Sequence, residues 1–205
     1  SIAVIVSDWF DRTGTSDPDT GEGPYEGLFV ATQAEPGSSF SQTTRMDLSD
    51  LPQPARTYPH VPTLFADRWE SSPHFGTLYL TYLGQMNVAG GVERALFIKT
   101  STDGGKVFTP AQELPGTRGW LPNNDAVITP DGTMHLLGNR DSTVVFHTLS
   151  HDGGLTFSGP TPIATRPDAN DHWPHLAIGE DGQNRGVILA TLEQSEGDRR
   201  DPDVF

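Results

Sequence analysis

Residues 150–157 read SHDGGLTF, and residues 101–108 read STDGGKVF. Both stretches share the skeleton Ser-x-Asp-x-Gly-x-x-Phe, and each directly follows a run of apolar and β-branched residues. A more divergent third copy, QAEPGSSF, occupies residues 33–40. The glycines of the three copies are separated by 68 and 49 residues. This spacing predicts a repeated β unit with loops of variable length.

Each copy is predicted to form a turn between two antiparallel strands. The Asp carboxylate accepts hydrogen bonds from turn amides, the Gly tolerates a positive φ, and the Phe packs beneath the hairpin. We therefore assign a structural role to these positions, which are Ser101, Asp103, Gly105 and Phe108, then Ser150, Asp152, Gly154 and Phe157, and in the divergent copy Glu35, Gly37 and Phe40.

The pattern resembles the Asp-box of sialidases and other BNR-repeat β-propellers. This resemblance implies an all-β fold in which ~4–8 four-stranded antiparallel blades surround an axis. The strand pattern of residues 1–205 fits one partial propeller domain of about three and a half blades. Blade 1 is present in part at 1–50, blade 2 covers 56–115, blade 3 covers 118–165, and part of blade 4 covers 171–205. The fourth strand of blade 2 is predicted at residues 109–114. The rest of the ring is expected from the same polypeptide or from another chain.

Composition excludes several classes of protein. The 205 residues include 22 Gly and 17 Pro, which favours short strands over long helices. The absence of cysteine excludes disulfides, a thiolate nucleophile and a cysteine-zinc site. A formal charge of −14 argues against a nucleic-acid partner, which would require clustered Lys and Arg. No apolar run is long enough to span a membrane. The resemblance implies a secreted or cell-surface bacterial protein, extracellular or periplasmic.

The resemblance also implies a ligand face on the side of the propeller opposite the Asp-boxes. The predicted crossovers between blades, at residues 56–60, 118–125 and 166–175, lie on that face together with a loop predicted at 138–141. Each crossover carries an Arg, an aromatic residue and a His, Asn or Asp. Arg binds carboxylates, aromatic rings stack on sugars, and Asn or Asp bind hydroxyls, so this set suits a glycan. The alternative is that the aromatic residues fill the centre of the ring. The candidate ligand-binding residues are Arg56, Tyr58, His60, Arg118, Trp120, Asn124, Arg140, Arg166, His172, Trp173 and His175.

Catalytic residues are harder to assign. Sialidases use three arginines, a Tyr nucleophile activated by Glu, and an Asp acid/base, with the first arginine in a Phe/Tyr-Arg-Ile-Pro motif. Residues 58–64 here read YPHVPTL, so His60 stands in the position of that arginine. Paired glycosidase carboxylates lie ~5–9.5 Å apart. The candidate carboxylates are Asp125, Asp141 and Asp171.

No cofactor is predicted. The acidic loop at residues 8–24 contains DPDTGE, which faintly resembles a calcium-binding loop through Asp17, Asp19 and Glu22. It lacks the twelve-residue ligand spacing of such loops, so a solvated acidic loop is the favoured interpretation.

Three functional hypotheses remain open. The first is a carbohydrate-directed propeller with glycoside hydrolase activity of the exo-sialidase type. The second is a non-catalytic propeller that binds a glycan or a protein, or acts as a scaffold; the missing motif arginine favours it. The third is an assembly subunit whose open sheet edges pair with another chain.

Overall fold

A computed structural model describes residues 3–10, 25–33, 38–39, 42–45, 60–89, 91–140, 144–165, 174–180 and 186–191. Within these ranges the protein is all-β, as predicted, with thirteen strands and no helix. The described part of the chain therefore contains no helix that is long and apolar enough to cross a membrane.

Two sheets are four-stranded, and all neighbouring strands in them are antiparallel. The second sheet along the chain contains β4 (His60–Ala66), β5 (Leu78–Val88), β6 (Gly91–Ser101) and β7 (Gln112–Glu113). The third sheet contains β8 (Trp120–Ile128), β9 (Met134–Arg140), β10 (Val144–Ser150) and β11 (Thr161–Thr165). In both sheets the strands follow one another in chain order, which short hairpin connections permit.

The first and fourth sheets are described with fewer strands. The first contains β1 (Ala3–Phe10), β2 (Tyr25–Gln33) and β3 (Gln42–Arg45) in that order. The fourth contains β12 (His175–Glu180) and β13 (Gly186–Thr191). Adjacent strands are again antiparallel.

The four sheets lie side by side, with leading strands in contact. β1 contacts β4, β4 contacts β8, and β8 contacts β12. Two apolar clusters fill the spaces between sheets. The first joins Val30 to β5 and β6 through Leu80, Tyr82, Ala95 and Phe97. The second joins the second and third sheets and contains Tyr79, Leu83, Leu96, Ile98, Leu114, Trp120, Ala126, Ile128, Met134 and Leu136.

Strand β6 shows why this arrangement suits the sequence. Residues 95–98 form a continuous apolar run, ALFI, instead of alternating with polar residues. Successive side chains of a strand point to opposite faces, so Ala95 and Phe97 enter the first cluster while Leu96 and Ile98 enter the second. A run of this kind is typical of a strand covered on both faces.

Three predicted boundaries differ from the structure. The crossover predicted at residues 118–125 is already strand from Trp120 onward, because β8 pairs with β9 on both sides of an irregular stretch between Trp120 and Asn124. The loop predicted at 138–141 is strand up to Arg140, which pairs with Val144. The fourth strand predicted at 109–114 is reduced to Gln112–Glu113. In the first two cases, pairing with a neighbouring strand overrides a polar, loop-like sequence.

Candidate functional site

The two strict copies of the repeated skeleton form the same hydrogen-bonded turn. In the first, Ser101 Oγ donates to Asp103 Oδ1 at 2.8 Å and accepts from the Gly105 amide at 2.9 Å. Asp103 Oδ1 also accepts from the amides of Lys106 and Val107 at 3.0 and 3.1 Å. These hydrogen bonds stabilise the carboxylate, led by the one from Val107, and hold the pKa of Asp103 below its ordinary value.

The second turn repeats this geometry around Asp152. Ser150 Oγ donates to Asp152 Oδ1 at 2.8 Å and accepts from the Gly154 amide at 2.9 Å. Thr156 adds two hydrogen bonds, from its hydroxyl to Oδ2 at 2.5 Å and from its amide to Oδ1 at 2.9 Å. The hydroxyl contributes most to lowering the pKa of Asp152 to about 2. The same carboxylate chemistry thus closes both turns. Phe108 and Phe157 pack at the edges of the first and second apolar clusters, respectively.

Each turn also contacts the preceding sheet through its second glycine. A Cβ on Gly105 would lie 3.2 Å from Thr32 Cγ2 and 3.7 Å from Val30 Cγ1 of the first sheet. A Cβ on Gly154 would lie 3.5 Å from both Ile98 Cδ1 and Tyr79 Cε1. Both glycines have positive φ, of 87° and 86°. The repeated turn therefore joins neighbouring sheets as well as two strands of its own sheet.

The end of the sheets opposite these turns carries a charged cluster, which we call the arginine end; its described members are Glu93, Glu113, Arg118 and Arg140. Arg118 forms a two-pronged ion pair with Glu113, at 2.8 Å from Nε and 3.2 Å from Nη2, and its Nη1 lies 3.4 Å from Glu93 Oε2. Hydrogen bonding and charge from Glu113 raise the pKa of Arg118, which stays cationic. Its side chain is 58% exposed, so the guanidinium is oriented and also open to solvent.

Arg140 approaches this cluster at the end of β9. It pairs in register with Trp120, and its Nε would lie 3.7 Å from a Cβ on Gly119. Arg140 is exposed, like Arg118. The structure thus brings together two of the predicted ligand-binding arginines. Glu93 and Glu113, the partners of Arg118, were not predicted from the sequence, because no repeat or motif contains them.

Trp120 lies in the core and not on a surface loop. Only 1% of it is exposed, and its indole stacks on Phe146 at 6.2 Å between ring centroids. A Cβ on Gly138 would lie 2.2 Å from Trp120 Cε3, so the glycine makes room for the ring. The indole therefore has no face open for stacking on a sugar. This placement matches the alternative in which an aromatic residue fills space between strands.

Asp125, a candidate catalytic carboxylate, links two sheets. Its Oδ1 accepts from the Ala126 amide at 2.8 Å, and its Oδ2 accepts from the Leu176 amide at 2.9 Å. The same Oδ2 lies 3.5 Å from His175 Nδ1. Oδ2 therefore joins β8 to β12, while Oδ1 is engaged by an amide of β8 itself, which fits a carboxylate that positions strands.

The remaining sequence candidates are located only in part. His60 is the first residue of β4, where its backbone pairs with Leu83, and the backbone of Asn124 pairs with Gly138. The other candidates lie outside the described residues: Arg56, Tyr58, Asp141, Arg166, Asp171, His172, Trp173, the divergent-turn residues Glu35, Gly37 and Phe40, and the acidic-loop residues Asp17, Asp19 and Glu22. In the described ranges, no group of three or more His, Cys, Asp or Glu side chains is placed to hold a metal ion.

A histidine pair on the third sheet was not predicted from the sequence. His135 Nδ1 and His147 Nε2 are 3.0 Å apart, the ring centroids are 5.2 Å apart, and the planes differ by 19°. This geometry describes two nearly coplanar imidazoles joined by one hydrogen bond. Burial, followed by the charge of His147, lowers the pKa of His135 to about 4, and burial also lowers the pKa of His147. Both rings are therefore neutral at pH 7.

Comparison with known proteins supports the fold. No family model and no curated protein matches the chain. Among solved structures, "Hadza microbial sialidase Hz136" is similar, with a TM-score of 0.55 and 13% sequence identity. The similarity covers 82% of this chain and 36% of that one, so the chain spans little more than a third of the length of that sialidase. At this identity the similarity shows a shared sialidase-like β-fold.

Proposed function

We propose that this chain is part of an extracellular or periplasmic sialidase-like β-propeller that binds carbohydrate at the arginine end. The proposed ring contains the four sheets as successive blades, and the Ser-x-Asp-x-Gly turns are its Asp-boxes. The contacts from β4 to β8 and from β8 to β12 support this arrangement, because the first strands of successive blades meet in this order when blades surround an axis. The similarity to a sialidase structure supports the same fold.

The observation that carries the carbohydrate role is the composition of the arginine end. Arg118 is held in place by Glu113 and Glu93, and Arg140 lies beside Gly119 next to it. Oriented guanidinium donors beside carboxylate acceptors suit a ligand with many hydroxyl groups, since such a ligand both donates and accepts. The cluster lies opposite the turns, where the resemblance to sialidases implies the ligand face.

Hydrolysis of a terminal glycosidic bond is the activity to test first, because the similar solved structure is named a sialidase. A non-catalytic glycan-binding role is the second candidate. One observation favours it: both oxygens of Asp125 accept hydrogen bonds from backbone amides, one from Ala126 in β8 and one from Leu176 in β12. A carboxylate fixed in this way is poorly placed to transfer a proton to a substrate.

The test combines a glycan array with a fluorogenic sialoside, using the full-length polypeptide. Arg140→Ala and Glu93→Gln should each weaken binding of the best glycan by about tenfold, equivalent to the loss of one charge-assisted hydrogen bond of roughly 1.4 kcal/mol. Arg68→Ala is the matched control, because Arg68 is an exposed arginine at the turn end, where it lies over the Trp69 ring.

Three outcomes separate the alternatives. Release of the fluorophore, together with weakened binding by both arginine-end variants, supports a glycosidase. Binding without release supports the non-catalytic role. Equal glycan binding by Arg140→Ala, Glu93→Gln and Arg68→Ala would contradict a carbohydrate site at the arginine end.

A further inference from the structure

Arg118 is fixed at the arginine end by the backbone on both sides of it. On the far side, the amide of Gly119 donates to the Arg94 carbonyl of β6 at 2.8 Å. On the near side, Thr117 Oγ1 accepts from the amide of Leu96, also in β6, at 3.1 Å. The segment that carries Arg118 is therefore tied to a central strand of the second sheet, and the base of the side chain has a defined position.

Two carboxylates already use most of the hydrogen-bonding capacity of Arg118. A guanidinium has five N–H groups. Those on Nε and one on Nη2 donate to the two oxygens of Glu113, and one on Nη1 donates to Glu93 Oε2. The Glu113 side chain is only 26% exposed, so its ion pair is the more shielded of the two. Within the described ranges, one N–H group on Nη1 and one on Nη2 are left for a ligand.

A ligand carboxylate at these two N–H groups would meet the charge of Glu93. An oxygen bound to Nη1 lies within about 6.5 Å of Glu93 Oε2, because both oxygens then contact the same nitrogen. Arg118, Glu93 and Glu113 together carry one net negative charge, and Arg140 brings the arginine end to zero. Arg94 follows Glu93 in β6, so its side chain leaves the opposite face of the sheet. The charge of −14 on the whole chain also opposes the approach of an anion.

A neutral hydroxyl group fits the same place without this conflict. A hydroxyl donates one hydrogen bond and accepts two. Beside Arg118 Nη1 and Glu93 Oε2, which are 3.4 Å apart, a sugar hydroxyl can accept from the guanidinium and donate to the carboxylate. Adjacent hydroxyls on a sugar ring repeat this alternation of donor and acceptor. The cluster and a sugar ring are therefore complementary without a net charge on either.

We propose that the arginine end selects neutral sugars over sugars that carry a carboxylate, because Glu93 and Glu113 balance the charge of its arginines. This inference rests on the proposed carbohydrate role and names its ligand class. The ion pairs with the glutamates then serve to aim the guanidinium donors of Arg118, which a neutral ligand needs, and not to supply net positive charge. Binding of such a ligand changes little with ionic strength, since the ligand has no charge for salt to screen.

Binding measurements on matched glycans test this preference with the full-length polypeptide. The probes are pairs that differ in one carboxylate: terminal galactose with and without a sialic acid cap, and terminal glucose against terminal glucuronic acid. The neutral member should bind at least about threefold more tightly, which is the scale of one exposed charge interaction. Its Kd should change less than about twofold between 20 and 300 mM NaCl, whereas an anion held by net positive charge would be weakened more strongly by salt.

Glu113→Gln tests the cause of the preference. The amide keeps the shape of the side chain and one acceptor, but it removes the negative charge beside Arg118. The affinity for the carboxylate-bearing glycan relative to its neutral partner should therefore rise about three- to fivefold. Glu70→Gln is the matched control, because Glu70 is exposed in the turn after β4, at the opposite end of the sheets, and its replacement changes the net charge equally. This control should leave the ratio of affinities unchanged.

The outcomes separate this inference from the carbohydrate role on which it rests. Three results would each overturn the neutral preference and leave the carbohydrate role in place: tighter binding of the carboxylate-bearing glycans, release of the fluorophore from the sialoside, or the same ratio of affinities in Glu113→Gln and Glu70→Gln. Absence of binding to every glycan on the array would instead remove the carbohydrate role, and the neutral preference with it.

Discussion

Replacing Gly138 by Ala should destabilise the protein through a single steric conflict. A Cβ at this position would lie 2.2 Å from Cε3 and 2.3 Å from Cζ3 of the Trp120 indole. Contacts this short are not tolerated, so either the ring or strand β9 has to move. The indole is 1% exposed and stacks on Phe146, so movement of the ring disturbs the second apolar cluster.

The size of the effect follows from three contributions. Overpacking a well-filled core costs about 1–3 kcal/mol. Loss of the aromatic stacking adds about 0.5–1.5 kcal/mol. Replacing Gly by Ala inside a regular strand stabilises the folded state by about 0.5–1 kcal/mol, because Ala loses less backbone entropy on folding. The net loss in the free energy of unfolding is therefore about 0.5–4 kcal/mol. A chain of this size would melt ~2–4 °C lower for each kcal/mol lost.

Urea unfolding followed by tryptophan fluorescence measures this loss. Gly179→Ala is the matched control, because Gly179 lies in strand β12 with no atom within 4 Å of its Cβ position and should change stability by less than about 0.5 kcal/mol. A double-mutant cycle with Trp120→Leu isolates the clash, since the Ala should cost much less once the indole is gone. An unchanged midpoint for Gly138→Ala, or the same cost in both backgrounds, would refute the reasoning.

Three further predictions concern the turns and the buried hydrogen bonds. Gly154→Ala should lower the free energy of unfolding by about 1–2 kcal/mol, because its φ of 86° is unfavourable for a residue with a Cβ. Gly159 has no positive φ and no atom within 4 Å of its Cβ position, so Gly159→Ala should leave stability unchanged in the same urea assay. Thr117→Val should lower the free energy of unfolding by about 1–3 kcal/mol, because the fully buried hydroxyl accepts from the Leu96 amide at 3.1 Å and donates to the Leu114 carbonyl at 2.7 Å. Thr161→Val, at an exposed position of β11, is its control. Equal urea midpoints for the two variants would contradict this expectation. Asp152→Asn should be less stable than the native protein at neutral pH, and the difference should shrink as the pH falls from 3.8 to about 2. In that window the carboxylate of the unfolded chain takes up a proton while the folded one, with its pKa lowered to about 2, still resists it. A difference independent of pH from 7 to 2 would contradict the assignment.

The parts of the fold that depend on local sequence could be read before the structure was known. The hydrogen bonds of the Ser150 turn join residues no more than four positions apart, so the skeleton alone contains the donors and acceptors. The all-β class followed from the same repeats and from the Gly and Pro content. By contrast, the beginning of β8 at Trp120 depends on pairing with β9 across the irregular stretch that contains Pro122. A proline and two asparagines favour the prediction of a loop when the partner strand is unknown.

The candidate site required distant contacts that no local pattern contains. The partner of Asp125 is an amide 51 residues away, and Glu93 lies 25 residues before Arg118. The sequence could name Arg118 and Arg140 by residue type, but only strand register places them at one end of the sheets. The histidine pair illustrates the same limit, because His135 and His147 are twelve residues apart and meet only through the pairing of β9 with β10.

The contact between each glycine turn and the preceding sheet determines how readily a chain of this kind can gain further sheets by duplication. The second sheet carries both halves of this contact, a turn at Gly105 that packs on the first sheet and a face at Tyr79 and Ile98 that receives the Gly154 turn of the third sheet. A duplicate of the second sheet inserted before the third would therefore find a matching neighbour on each side without any new interface. Such modularity makes the number of units easy to change during evolution.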